Sequence, residues 1–306
     1  MPNASVAPTY EPGDGSVPRT DVGAASEPRA TALDFLRLLA TEVSKGTVDL
    51  PCFPDVVIRI RHALADPNTT VDKMVWIVGN EPRLAARLLQ TANSAAFNPS
   101  GKPLTDLRSA ITRLGQQLVQ SAAVAYAVQQ MKNAQSLRSI AKPLSELWKE
   151  CISVASVSRA VASHTKVSPD EAFLTGLLHG IGRLYIMVRA VGHAAQFGTD
   201  QTLLELVADW HASIGKAVLE NWGFAEQMCN AVGDQDDHER RWVHDGELSD
   251  ILIAGVALGG ALKSAAPLAT DRISAFQHIG LTDHDCAVIL TQAKHHLGSL
   301  HDALGG

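Results

Sequence analysis

The sequence predicts an all-α protein, a multi-helix bundle in two lobes. Apolar residues recur at three-to-four spacing in segment after segment, beginning with Leu33, Leu36, Leu39 and Val43. Helix punctuation separates these segments: Pro54 and Ser168-Pro169-Asp170-Glu171 read as starts, Gly46 and Gly79 as stops. No stretch shows the strict alternation of a half-buried strand, and no fixed repeat period runs along the chain.

Residues 1–30 are rich in Pro, Gly, Ser and Ala and poor in large apolar side chains. Such a segment cannot bury enough surface to offset its ordering entropy, so a disordered tail is expected there. An N-terminal lobe is expected over 31–135. Its helices carry Val57, Ile58 and Leu64, then Val71, Val75 and Val78, then Leu84, Leu88 and Ala92, then Leu107, Ile111 and Leu114. Asn80 is the expected cap of the third of these and Thr105 of the fourth. The polar stretch Lys132–Ser136 is the expected joint. A C-terminal lobe over 136–306 opens with a helix from Ser145 that carries Leu147, Cys151, Val154 and Val157. Further helices are expected at 181–190, 201–221, 225–232, 249–264 and 282–304.

The chain has 306 residues and a formal net charge of −6. That length supports a substantial core, and the acidic balance argues against a general nucleic-acid binder. The longest apolar run, Ile251 to Leu262, is too short to span a bilayer, and no secretory signal opens the chain. A cytoplasmic protein without nucleic-acid or membrane partners is therefore expected. The four cysteines are scattered with no paired spacing, which suits neither a disulfide framework nor a zinc ribbon.

No P-loop and no nucleophile elbow occur. Gly255, Gly259 and Gly260 lie inside an apolar helix, so close helix packing is their expected use rather than a dinucleotide loop. His179 and His211 each fall on an apolar helix, as a core histidine or as part of a ligand pocket. Cys151 lies on the Leu147/Val154 face, where packing explains it and no activator is evident. The run Asp234, Asp236, Asp237 to Arg241 reads as a solvated loop, with metal binding as the alternative. His284 and His295 would share a helix face, as a metal clamp or as last-turn cations in water. Arg83 and Arg87 are four apart, hence on one helix face, and make the candidate surface for an acidic partner.

Several motifs, in order, resemble the HDOD domain family. Leu50-Pro51-Cys52-Phe53-Pro54 resembles its opening L-P-x-x-P. Glu81-Pro82-Arg83-Leu84-Ala85-Ala86-Arg87-Leu88-Leu89 and Asn93-Ser94 resemble its next helix. Leu107, Ala110-Ile111 and Leu114-Gly115 match the helix after that. Ala172 to His179 resembles "A-f-l-a-G-L-L-H". The similarity covers roughly residues 48–240, and the set in order is more specific than any one motif.

This family is related to the HD metal-dependent phosphohydrolases, in which histidines and an adjacent His-Asp pair hold metal ions that activate water. The resemblance places Cys151 where the first histidine would stand. His179 keeps the histidine of the pair, but Gly180 replaces its aspartate. His211 matches a later histidine, and Gln235-Asp236 replaces a final His-His pair. The resemblance therefore implies a degenerate site with no catalytic residues, no metal and no cofactor. It implies a stand-alone regulatory protein of bacterial signal transduction that acts through contacts with signalling proteins. The alternatives are a divalent-metal phosphohydrolase and a sensor holding a nucleotide ligand in the eroded site.

Overall fold

The computed structural model describes residues 27–46, 48, 50, 55–94, 97–98, 101–193, 200–241, 247–264 and 270–304. Among these residues there is no strand. The first lobe contains α1 (Glu27–Ser44), α2 (Asp55–Ala65), α3 (Val71–Gly79), α4 (Pro82–Asn93) and α5 (Leu107–Asn133). A 3-10 turn over Gln135–Ile140 leads to α6 (Ala141–Ala162), α7 (Pro169–Leu178), α8 (Ile181–Val191) and α9 (Asp200–Asn221). The chain continues through α10 (Glu226–Gly233), α11 (Glu247–Ser264), α12 (Ser274–Ile279) and α13 (Asp283–Leu304). Among the described residues no helix is long and apolar enough to cross a membrane.

Helix α6 is the structural axis. Every residue from Cys151 to Ser158 is buried, so the helix is covered on all sides. Small residues on it let neighbours come close. A Cβ on Gly176 of α7 would lie 2.7 Å from the Ala155 Cα, and one on Gly255 of α11 would lie 2.1 Å from Ser158 Oγ. Gly259 meets Val154 at 3.1 Å, so the packing role expected of these glycines is observed at Gly255 and Gly259 but not at Gly260, where a Cβ would meet nothing within 4 Å. Helices α5 and α13 complete the sheath around α6.

Helix α5 joins the lobes, packing against α2, α3 and α4 and also against α6 and α7. It breaks at Gly115 (φ 70°, ψ 178°), a left-handed conformation that a side chain would strain. The expected boundary at 135/136 coincides with the 3-10 turn, yet one continuous apolar core spans both sides. The terminal helices also cross it. Helix α1 packs on α9, and its Glu42 accepts a 2.7 Å hydrogen bond from the Tyr185 hydroxyl of α8. Helix α13 packs on α4 as well as on α6.

Local chemistry moves several expected boundaries. Helix α1 begins at Glu27, inside the expected tail, because Glu and Pro both suit a first helical turn. The rest of that tail, 1–26, lies outside the described residues, as do Pro51 to Pro54. Helix α6 starts at Ala141 rather than Ser145, with Pro143 in the first turn, where its missing N–H costs nothing. Asn80 does not cap α4; its side-chain amide donates to the Trp76 carbonyl at 2.6 Å, closing α3. Asp106, not Thr105, caps α5, accepting from the Ser109 N–H at 2.8 Å. Ser168 caps α7 as expected. His284 is exposed in the first turn of α13 rather than the last, and the His295 side chain lies outside the described residues.

Candidate functional site

The sequence-predicted residues converge where α6, α7, α8, α9 and α10 meet. His179 caps the C-terminus of α7 and Gly180 precedes α8. Two glycines bring α8 and α9 into backbone contact there. A Cβ on Gly182 would lie 1.9 Å from the His211 carbonyl oxygen and 2.6 Å from the Gly215 nitrogen. Only glycine permits that crossing, and the crossing sets His211 beside the 179–183 turn.

His179 is fully buried. Its ring Nδ1 donates to the Gly176 carbonyl at 2.7 Å. Its Nε2 has no hydrogen-bond partner and lies 3.8 Å from Glu150 Oε1. Burial pushes the imidazole below its ordinary value. The Cys151 sulfur, the Glu150 carboxylate and the Gly176 carbonyl favour the cation and together raise it to about 9. Arg183 of α8 holds that carboxylate, donating to Glu150 Oε1 at 2.7 Å.

His211 is also buried, with Nε2 3.1 Å from Asp236 Oδ2 and Nδ1 without a partner. The hydrogen bond from His211 lowers the Asp236 carboxyl against the opposing effect of burial, helped by the charge of Arg183. Gln235 is sealed beneath them. Its side-chain N–H donates to the carbonyls of Val232 at 2.8 Å and His179 at 3.2 Å, and its Oε1 has no partner.

The space beside Gly180 is already taken. A Cβ there would lie 2.7 Å from Cys151 Sγ and 2.9 Å from Leu147 Cδ1. These two side chains also line a small apolar pocket of about 20 Å³, together with Trp148, Leu177 and Leu184. Such a volume holds roughly one water-sized molecule.

These residues do not fit the metal centre that the HD resemblance would imply. Among the described residues, no three His, Cys, Asp or Glu side chains are grouped so as to hold an ion. Gly180 has no ligand atom, and sulfur and leucine fill its surroundings. The His211 Nε2 is committed to Asp236, and Gln235 turns its amide nitrogen to backbone carbonyls.

All six predicted site residues, Cys151, His179, Gly180, His211, Gln235 and Asp236, thus lie together. Glu150 and Arg183 were missed, and so were the glycines that set the crossing. The sequence signal for these glycines was their place in the motifs, Gly182 three residues after His179 and Gly215 four after His211. Cys151 also needs correction: a polar neighbour is present, because α7 brings His179 against it. The expected solvated loop after α10 is exposed at Asp236, Asp237, His238, Glu239 and Arg241, while Asp234 and Arg240 turn into an ion-pair network. Asp234 accepts from Arg240 at 3.3 Å and Ser249 at 3.1 Å, and Arg240 also reaches the buried Asp250 at 3.3 Å. Arg83 and Arg87 do not share one solvent face equally: Arg83 is exposed, whereas Arg87 is half-buried.

The model of the HDOD domain family matches residues 50–238. A candidate metal-dependent phosphohydrolase of Shewanella amazonensis is 24% identical with a TM-score of 0.71, covering 90% of this chain and 99% of its own. An HDOD domain protein of unknown function from Geobacter sulfurreducens is 20% identical with a TM-score of 0.58, covering 89% and 98%. A candidate signal transduction protein of Marinobacter aquaeolei is 21% identical with a TM-score of 0.64, covering 90% and 65%. In sequence, an uncharacterised protein of Treponema pallidum is 22% identical over 205 residues, 63% of this chain but 39% of that relative's length. At these identities the likeness carries the fold. The family match spans well over half the chain, and the chain belongs to the HDOD domain family.

Proposed function

We propose that this protein is a non-catalytic regulatory component of bacterial signal transduction, acting in the cytoplasm through contacts with other signalling proteins. One observation carries this reading. Cys151 and Leu147 crowd the position from which a residue-180 carboxylate would have to reach a metal. Of the neighbouring histidines, His211 has its Nε2 on Asp236, and His179, with Nδ1 on Gly176, has no two further His, Cys, Asp or Glu side chains grouped with it to hold an ion among the described residues. A fold without a working metal centre is left with its surfaces, and the exposed Arg83 on α4 marks the face proposed for an acidic partner. The signal-transduction description of the Marinobacter aquaeolei neighbour agrees with this role.

The test is metal content together with turnover. Full-length protein, purified with manganese and iron supplied, is assayed by elemental analysis and for hydrolysis of bis(p-nitrophenyl) phosphate. The expected result is far less than one ion per chain and no hydrolysis above buffer. One or two ions per chain, with hydrolysis that vanishes in His179→Ala, would overturn the proposal in favour of a phosphohydrolase.

A further inference from the structure

A second concave site lies in the first lobe, where α2, α3 and the first half of α5 pack together. A pocket of about 180 Å³ opens there beside the break in α5 at Gly115. A Cβ built on Gly115 would meet nothing within 4 Å, so close packing does not explain this glycine; its left-handed backbone, beside open space, does. Met74, Ile111 and Val119 are buried and make an apolar floor. Val71, 37% exposed, brings further apolar surface to the mouth. The rim is polar but uncharged, with Thr69, Thr70, Thr112 and Gln116.

The charged side chains beside that rim are occupied elsewhere. Asp72 of α3 pairs with Arg108 of α5, Lys73 pairs with Asp66 at 3.0 Å, and Arg113 donates to Asn98 at 2.7 Å. The rim hydroxyls have a preferred role as well. Thr112 donates its proton to the Arg108 carbonyl at 2.9 Å, and Thr69 donates its own to the Ala63 carbonyl. Both oxygens keep lone pairs with which to accept a hydrogen bond.

We propose that this pocket binds a neutral small molecule built on one aromatic ring with a hydroxyl group, a phenol. The volume suits one ring, since an aliphatic cavity of about 150 Å³ takes up benzene. An uncharged lining offers no counter-ion to a carboxylate or an amine. The Met74 thioether favours an aromatic neighbour, and the threonine acceptors call for a donor on the ligand. The site is independent of the non-catalytic reading. Because α5 continues from the pocket to pack on α6 and α7, it would give the protein a chemical input on the helix that joins the lobes.

The probe is 4-fluorophenol, titrated with the full chain at pH 7, where it is neutral, and read by fluorine NMR. Saturable binding is expected at about 1 mM or tighter. Val71→Trp and Thr112→Trp, both at the exposed mouth, should melt as the parent does and weaken binding at least tenfold by filling the entrance. Trp210→Ala, on the exposed face of α9, should leave it within twofold. Thr112→Val keeps the shape and removes an acceptor, so it should weaken 4-fluorophenol about threefold and leave fluorobenzene unchanged. 4-Fluorobenzoate, equal in ring but charged, should bind at least tenfold more weakly, and cyclohexanol should displace the probe less readily than phenol does. The proposal is overturned by any of four results: no saturable binding, parent-like binding in both folded Trp variants, equal loss of the two probes in Thr112→Val, or benzoate or cyclohexanol binding as tightly as the phenol.

Discussion

Asp234 and Asp236 are two residues apart, both reach solvent, and they face opposite kinds of interior. Asp234 faces a network in which each charge has a counterpart. Arg240 bridges Asp234 and Asp250, His278 Nδ1 lies 3.1 Å from Asp250 Oδ1, and Ser249 donates to Asp234. Asp236 faces the other side, where His179 Nε2, His211 Nδ1 and Gln235 Oε1 are all buried without hydrogen-bond partners. Compensated groups hold a shape; uncompensated ones persist only where the rest of the fold keeps them there. The network beneath Asp234 anchors the segment that presents Gln235 and Asp236 to the two histidines. The compensated side therefore anchors the segment, and the uncompensated side holds the buried polar atoms that lack hydrogen-bond partners.

The largest test of that contrast is Asp250→Asn. The Asp250 carboxylate is almost fully buried between Arg240 and His278. Removing its charge while keeping its shape breaks the buried half of the Arg240 bridge and leaves Arg240 with the partly exposed Asp234 alone, at an expected cost of about 3 kcal/mol in urea denaturation. His211→Gln, on the uncompensated side, should cost clearly less. Equal costs would mean that the two interiors do not differ in kind.

Much of the fold was legible in the sequence because each helix announces itself locally. Leu84, Leu88 and Ala92 recur on one face of α4, and Ser168 followed by Pro169 and two carboxylates opens α7. The six site residues were legible for a different reason: the ordered motifs supply the spatial frame that single positions lack. What stayed hidden depends on contacts between distant segments. Glu150 looks like an ordinary surface carboxylate until α8 brings Arg183 to it. Nothing near Gly182 in sequence shows that the His211 carbonyl needs its space. The docking of α1 on α9 and the closure of Asp234 on Ser249 are likewise tertiary facts. The cap of α5 was displaced by one residue because Thr105 and Asp106 both satisfy the local rule, whereas α4 starts after Glu81, whose side chain makes no capping hydrogen bond and instead accepts from the Tyr126 hydroxyl.

The next effect concerns the proton on His179. In the folded chain the ring keeps its proton up to about 9, whereas an unfolded histidine releases it near ~6.5. Between those values the folded state binds more protons than the unfolded state. The stability gained from this group is therefore full below the unfolded value and is lost as pH rises through about 9. The expected decline from pH 7 to 9 is roughly 2 kcal/mol, and it should be much flatter in His179→Gln. Urea denaturation at several pH values measures both slopes, and an NMR titration of the ring locates the proton. A stability that rises with pH across this window, with parallel slopes in the two proteins, would remove His179 from the account.

The smallest effect bears most directly on how this site differs from a metal centre. A methyl group at position 180 would press on the Cys151 sulfur at 2.7 Å and the Leu147 terminus at 2.9 Å. Both are side-chain ends beside a cavity of about 20 Å³, so they can yield a few tenths of an ångström. Gly180→Ala is therefore expected to cost only about 1 kcal/mol. Cys151→Ala removes the sulfur and leaves its own void, also at a cost. Combined, the two changes should compensate, because the new methyl group occupies space the sulfur vacates. The double variant is expected to be less destabilised than the sum of the singles by about 0.5–1 kcal/mol, read from a double-mutant cycle in urea. Additive costs would mean that Cys151 does not hold the place of a residue-180 side chain. The absence of a carboxylate at that position would then need a cause other than volume.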